Sequence, residues 1–301
     1  MQLMGKDRFF LGIFFFTFFY GAYLFYDNKN FNDYGVQNII DTRNKMLHSK
    51  RFRSNALIVG GSNALWGVSA ESLSLKTHFS FYNLTMHSNG VNHKNYFSYI
   101  KESISDEHKD SIELILWSTI FPFKEPPYDD FDRDISGKLR FSKLYPNKSL
   151  LNALYDQFQD SNQHLFGVTE SYGDFNFAKF KCPLSNFEKT SSLAEDIQSN
   201  IEKYYGNNPF FLEQLIFYRK FFRLNFPNAR VIYVIPSLYN PPIINEVDLE
   251  SLSSLLTENE MELLIQSPLD FNLLCDAWHH PNEKGRAFRT NELAEKINDI
   301  F

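Results

Sequence analysis

Two short stretches at opposite ends of the chain hold residue types that do chemistry together. The first is Asn55-Ala56-Leu57-Ile58-Val59-Gly60-Gly61-Ser62-Asn63-Ala64-Leu65-Trp66. Its Ala56–Val59 run is short, apolar and β-branched, which reads as a buried strand. Gly60 and Gly61 permit a tight turn at its end, and Ser62 stands at the exit. Ligands bind at the carboxyl edge of a parallel α/β sheet, so a hydroxyl there is placed for reaction. The plainer reading is that Ser62 only caps the helix that follows. The second stretch is Asp276-Ala277-Trp278-His279-His280-Pro281-Asn282-Glu283-Lys284-Gly285. An acid followed by histidine one turn later supplies an orienter and a general base, the partners that a weak serine nucleophile needs. Asp276 to His279 has one suitable spacing. His280 has the other claim, because Pro281, Asn282 and Gly285 follow it in register.

These residues need elements to carry them. After the Ser62 turn, 68–75 reads as a short helix and Phe79–Leu84 as a second strand that ends at His87-Ser88-Asn89-Gly90. Ile112–Trp117 reads as a third strand ending at Ser118, Ala229–Ile235 as a fourth, and Met261–Ile265 as a weak fifth. Helices are expected over 209–226, 248–257 and 283–297, the last opened by Pro281. Strands alternating with helices imply a parallel sheet covered on both faces. Right-handed crossovers in a flavodoxin-like order would put Ser62, Gly90 and Ser118 at one sheet edge, with the 55–59 strand central. Residues 124–208 have little pattern. They read as an insertion forming a lid or rim, whose aromatics, Tyr128, Phe131 and Tyr172 among them, either line a sugar-binding rim or pack the insertion onto the core.

Composition narrows the classes. The 301 residues suffice for a large core without metal or disulfides. A net charge of −6 leaves no basic footprint for nucleic acid. The 32 phenylalanines are concentrated partly in residues 9–26, an uncharged run of bilayer-spanning length. Lys6 and Arg8 precede it and Asp27 follows, so a cytoplasmic N-terminus is expected, with the rest of the chain on the far side. The competitor is a cleaved signal peptide, whose apolar region would be shorter and end at an A-x-A-like site; residues 1–27 are therefore expected to form an anchor, 28–54 a stalk and first helix, and 55–301 the main domain. Cys182 and Cys275 have no metal-binding spacing; they either pair in an oxidising compartment or stay as buried thiols. A zinc site from Asp276, His279 and His280 with His87 or His93 is disfavoured because adjacent histidines point apart. No metal and no cofactor are expected.

The Gly-x-Ser-Asn near the start and the Asp-x-x-His-(His)-Pro-Asn-x-x-Gly near the end resemble the SGNH/GDSL hydrolase superfamily. The resemblance covers roughly residues 55–300 and is sharp at its two ends. It implies a flavodoxin-like, three-layer α/β/α fold behind an N-terminal transmembrane helix. It also implies Ser62 as nucleophile, His280 or His279 as base, and Asp276 as orienter. The amides of Ser62 and Gly90 would form the oxyanion hole, with Asn63 and Asn89 beside the substrate. One family block is missing, because the third strand is followed by Ser-Thr-Ile-Phe where Gly-x-Asn-Asp is usual; either Ser118 or Thr119 substitutes, or the third donor is absent.

The Gly-Gly-Ser-Asn-Ala-Leu-Trp-Gly form is most similar to members that modify cell-envelope polysaccharides. The activity so implied is a serine esterase or O-acyltransferase on acyl, notably acetyl, esters of an envelope or extracellular polysaccharide. Partners would be the acylated glycan, the membrane, and a membrane acyltransferase or assembly protein. The competing reading is a non-catalytic SGNH-like partner or sugar-binding component of polysaccharide assembly and export.

Overall fold

The computed structural model of the chain describes residues 33–86, 94–118, 168–177, 182, 209–237, 246–277 and 279–301. The expected anchor, Asn89, Gly90 and most of the insertion lie outside these residues. Among the described residues, no helix is long and apolar enough to cross a membrane.

The chain enters through α1 (Asp33–Leu47) and then forms β1 (Ala56–Gly60), whose five residues are all buried. The turn after it leads into α2 (Ser62–Gly67) and α3 (Ala70–Lys76). Strand β2 (Phe81–Asn83) follows, then α4 (Lys94–Ser103), the single turn α5 (Asp106–Lys109) and β3 (Leu114–Ser118). Beyond the insertion come α6 (Pro209–Asn225), β4 (Arg230–Ile235), α7 (Glu246–Glu258) and β5 (Met261–Ile265). The five strands form one parallel sheet in the order β2-β1-β3-β4-β5. The chain closes with β6 (Leu274–Ala277), β7 (His280–Pro281) and α8 (Glu283–Ile300).

Alternate residues of each strand feed two separate cores. Leu57, Val59, Ile115, Trp117, Val231 and Tyr233 pack with residues of α1, α4, α6 and α7. Ala56, Ile58, Leu114, Leu116, Ile232 and Val234 pack with residues of α2, α3 and α8. The period-two exposure of a strand therefore builds three layers, helices on both faces of a central sheet. Strands buried on both faces are apolar along most of their length, which is why 56–59, 114–117 and 231–235 were readable as continuous apolar runs.

Several boundaries differ from the expectation. The helix expected over 68–75 starts two residues later, at Ala70, because Val68 is extended and donates its N–H to the Ala64 carbonyl, which ends α2. Ser69 starts α3 because its hydroxyl caps Ser72 N–H. The last helix is opened by Asn282, whose side-chain oxygen accepts from Gly285 N–H at 3.0 Å, and not by Pro281. Pro281 instead lies in β7, paired antiparallel with β6. The acid and histidines expected one helical turn apart thus sit on a small hairpin. An N-cap asparagine with glycine three positions on is a local device: a Cβ on Gly285 would lie 2.2 Å from the Leu273 carbonyl oxygen. Cys182 and Cys275 are joined in a disulfide, which ties the insertion to β6 across 93 residues.

Candidate active site

Strand β1 delivers Ser62 to the carboxyl edge of the sheet. Gly60, with φ +144°, turns the chain where a Cβ would lie 1.8 Å from the Ser118 carbonyl oxygen. No side chain other than glycine's fits so close to β3, whose Ser118 is in register with Gly60. Gly61 N–H donates to Ser118 O at 3.2 Å, and the Gly61 carbonyl accepts from Ala64 and Leu65, which starts α2. Gly60 N–H donates to the Tyr96 hydroxyl at 2.9 Å, and that hydroxyl donates to Leu84 O at 3.1 Å. Burial raises the Tyr96 phenol's pKa, so it stays neutral and serves as a fixed strut.

Ser62 is only 3% exposed. The His280 Nε2 atom lies 2.9 Å from its Oγ. With Nε2 unprotonated, the serine hydroxyl donates to it, the geometry that a general base requires. The imidazole of His280 stacks on the indole of Trp66, with centroids 4.8 Å apart and planes 6° apart. His279 is the neighbouring ring, 4.1 Å from His280. Burial, with the nearby His280 and Arg289, holds the His279 pKa well below the ordinary histidine value. His279 is therefore neutral at physiological pH and a poor proton acceptor.

Asp276 lies on β6, in the hairpin whose Ala277 pairs with His280. Asn63 is buried beside Ser62, and its side-chain amide donates to the Ser118 hydroxyl at 3.2 Å. This places Asn63 as a brace between α2 and β3, where a substrate contact was expected. Ser118 accepts that bond, which leaves its own hydroxyl proton to donate elsewhere. Among the described residues, no group of three His, Cys, Asp or Glu side chains could hold a metal ion; His87 and His93 lie outside them.

Three supports escaped the sequence reading. Arg289 of α8 is fully buried and donates to the Asn63 carbonyl at 2.8 Å. It also shares two bonds with Gln266 Oε1, whose amide returns a bond to the Arg289 carbonyl. Burial lowers its pKa to about 9, which still leaves it charged at neutral pH. The clue was its place in the apolar row Arg289–Leu293–Ile297, at helical spacing. Asp174 of the insertion is buried and accepts from Ala70 N–H, Glu71 N–H, the Ser69 hydroxyl and the Asn83 amide. It fastens the returning insertion to the start of α3, where a carboxylate is favoured. Trp66, 1% exposed, is the third; as one apolar residue among several it carried no distinguishing signal.

The arrangement so defined is a parallel α/β protein with a serine–histidine pair at the carboxyl edge of its sheet. No protein-family model and no curated protein matches the chain. Among solved structures it is similar to an acetyl xylan esterase (Est2A) from the rumen bacterium Butyrivibrio proteoclasticus. That similarity has a TM-score of 0.40 and 10% identity, covering 82% of this chain. The chain spans 64% of that esterase's length.

Proposed function

We propose that the chain is a serine-dependent esterase or O-acyltransferase of the SGNH type, acting on acyl esters of an envelope or extracellular polysaccharide. One observation carries the reading: the 2.9 Å approach of His280 Nε2 to Ser62 Oγ, at the sheet edge where α/β folds bind ligands. Ser62 Oγ attacks the ester carbonyl as its proton passes to His280 Nε2. The tetrahedral intermediate collapses, the C–O bond to the sugar breaks, and His280 returns the proton to the departing hydroxyl. Water or a second sugar hydroxyl then repeats the sequence on the acyl-serine. Asp276 is the proposed acceptor for His280 Nδ1–H, which keeps Nε2 free for the serine. The amides of Ser62 and Gly90 and the Ser118 hydroxyl are the proposed donors to the oxyanion, a contribution of about 3–4 kcal/mol per donor in such enzymes.

The proposed site of action is outside the cytoplasm, with residues 9–26 as the anchor. The Cys182–Cys275 disulfide supports this, because such bonds persist in oxidising compartments.

The test is hydrolysis of a small acetyl ester and release of acetate from an acetylated polysaccharide by the purified chain. Ser62→Ala is expected to lower kcat by about 10³-fold or more while the fold persists. Wild-type rates in Ser62→Ala would end the esterase reading. A non-catalytic, glycan-binding partner in polysaccharide assembly would then take its place.

A further inference from the structure

We infer that Trp66 is a positioning residue that sets the angle and reach of the His280 imidazole toward Ser62; the inference rests on the esterase reading. Ser62 and Trp66 lie four residues apart on α2, one helical turn, so the helix itself fixes their separation. His280 comes from a different element, the two-residue strand β7. A half-buried imidazole on so short a strand keeps the freedom to turn about its terminal torsion, which is broad for histidine. Stacking at 4.8 Å and 6° removes that freedom, because the ring plane must follow the indole. With the plane set, Nε2 points at the serine one turn back.

The indole is itself immobilised. Phe175 stacks on it at 4.6 Å and 19°, and Phe177 meets it edge-on at 5.9 Å. Arg286 of α8 donates to the Phe175 carbonyl at 2.7 Å and lies over the Phe177 ring at 4.5 Å. The insertion therefore acts on the site at a distance: its returning segment seats Trp66, and Trp66 seats the base. When His280 takes the serine proton, the imidazolium lies on an aromatic face, an attractive arrangement.

The experiment compares Trp66→Phe and Trp66→Leu with wild type. Each is measured for kcat and KM on a small acetyl ester, for thermal midpoint, and for the orientation of His280 in a crystal structure. A misplaced base costs about 100-fold. Trp66→Leu is therefore expected to lose 10- to 100-fold in kcat with KM little changed, and Trp66→Phe to recover most of it. In the Trp66→Leu crystal the imidazole should leave Ser62 or take several orientations. Trp66→Met, which fills more of the space, stands in if Trp66→Leu does not fold. Should the wild type hydrolyse no ester, the proposed function falls, but the crystal structures still decide on the platform. An imidazole held in one orientation against Ser62 without the indole overturns it, as does a kcat equal to wild type in an active enzyme.

Discussion

Two adjacent histidines show how environment separates residues of one type. His280 is half-buried and reaches Ser62, whereas burial beside His280 and Arg289 keeps His279 neutral. The depressed His279 pKa has a consequence for stability. Above about pH 6.5, the ordinary histidine value, neither folded nor unfolded chain protonates this ring and the linkage term is absent. Below it the unfolded chain takes up a proton that the folded chain refuses, so stability falls as pH falls. The slope is at most about 1.4 kcal/mol per pH unit for one such group. Denaturant titrations at pH 7 and pH 5 should show the loss, and His279→Gln should reduce the difference. An unchanged pH dependence in that variant would mean that other groups carry the effect. The buried charges follow another logic: Arg289 and Asp174 each retain several hydrogen-bond partners, without which burial would cost several kcal/mol.

At the scale of elements, the site depends on a hairpin too short to hold itself. Strands β6 and β7 pair at Leu274–Pro281 and Ala277–His280, and a two-stranded ribbon is marginal alone. Three ties hold it: the Asn282 side-chain amide donates to the Asn272 and Leu274 carbonyls, Asn282 N–H donates to Leu273, and Cys275 is bridged to Cys182. Cys275 directly precedes Asp276, so the disulfide anchors the strand that carries the proposed orienter. Reduction is expected to lower the thermal midpoint, the chain-entropy limit for so long a loop being about 4–5 kcal/mol. It should also lower esterase activity more than it lowers the far-ultraviolet helix signal, because the hairpin loosens before the sheet does. The paired substitution Cys182→Ser with Cys275→Ser should reproduce both effects and be insensitive to reductant. Equal activity with and without reductant would show that the hydrogen bonds suffice.

Over the whole molecule, a doubly covered parallel sheet carries the serine–histidine pair at one edge, and the proposed anchor would hold that edge near a membrane surface. The full chain is expected to sediment with membranes, and removal of residues 1–27 to release a soluble, active domain; a full chain found soluble without processing would remove the anchor from the proposal. Much of this architecture was legible in sequence because it is local. Apolar β-branched runs such as 56–59 and 231–235 have to be buried strands, glycines at 60 and 61 have to turn, and alternating strands and helices have to make a parallel sheet by right-handed crossovers. Those rules also put Ser62 and Ser118 at the same edge. The extended start at Val68 and Ser69 and the hairpin in place of a helical turn at 274–281 were not legible, since short segments take the conformation their neighbours impose. Nor could the sequence choose between two adjacent histidines, pair Cys182 with Cys275, or single out Trp66, Asp174 and Arg289. Each of those facts joins residues far apart in the chain, from 91 positions for Asn83 and Asp174 to 226 for Asn63 and Arg289. Local propensity has no term for such pairs; only the packed sheet, which brings the ends of its strands and the insertion to one place, decides them.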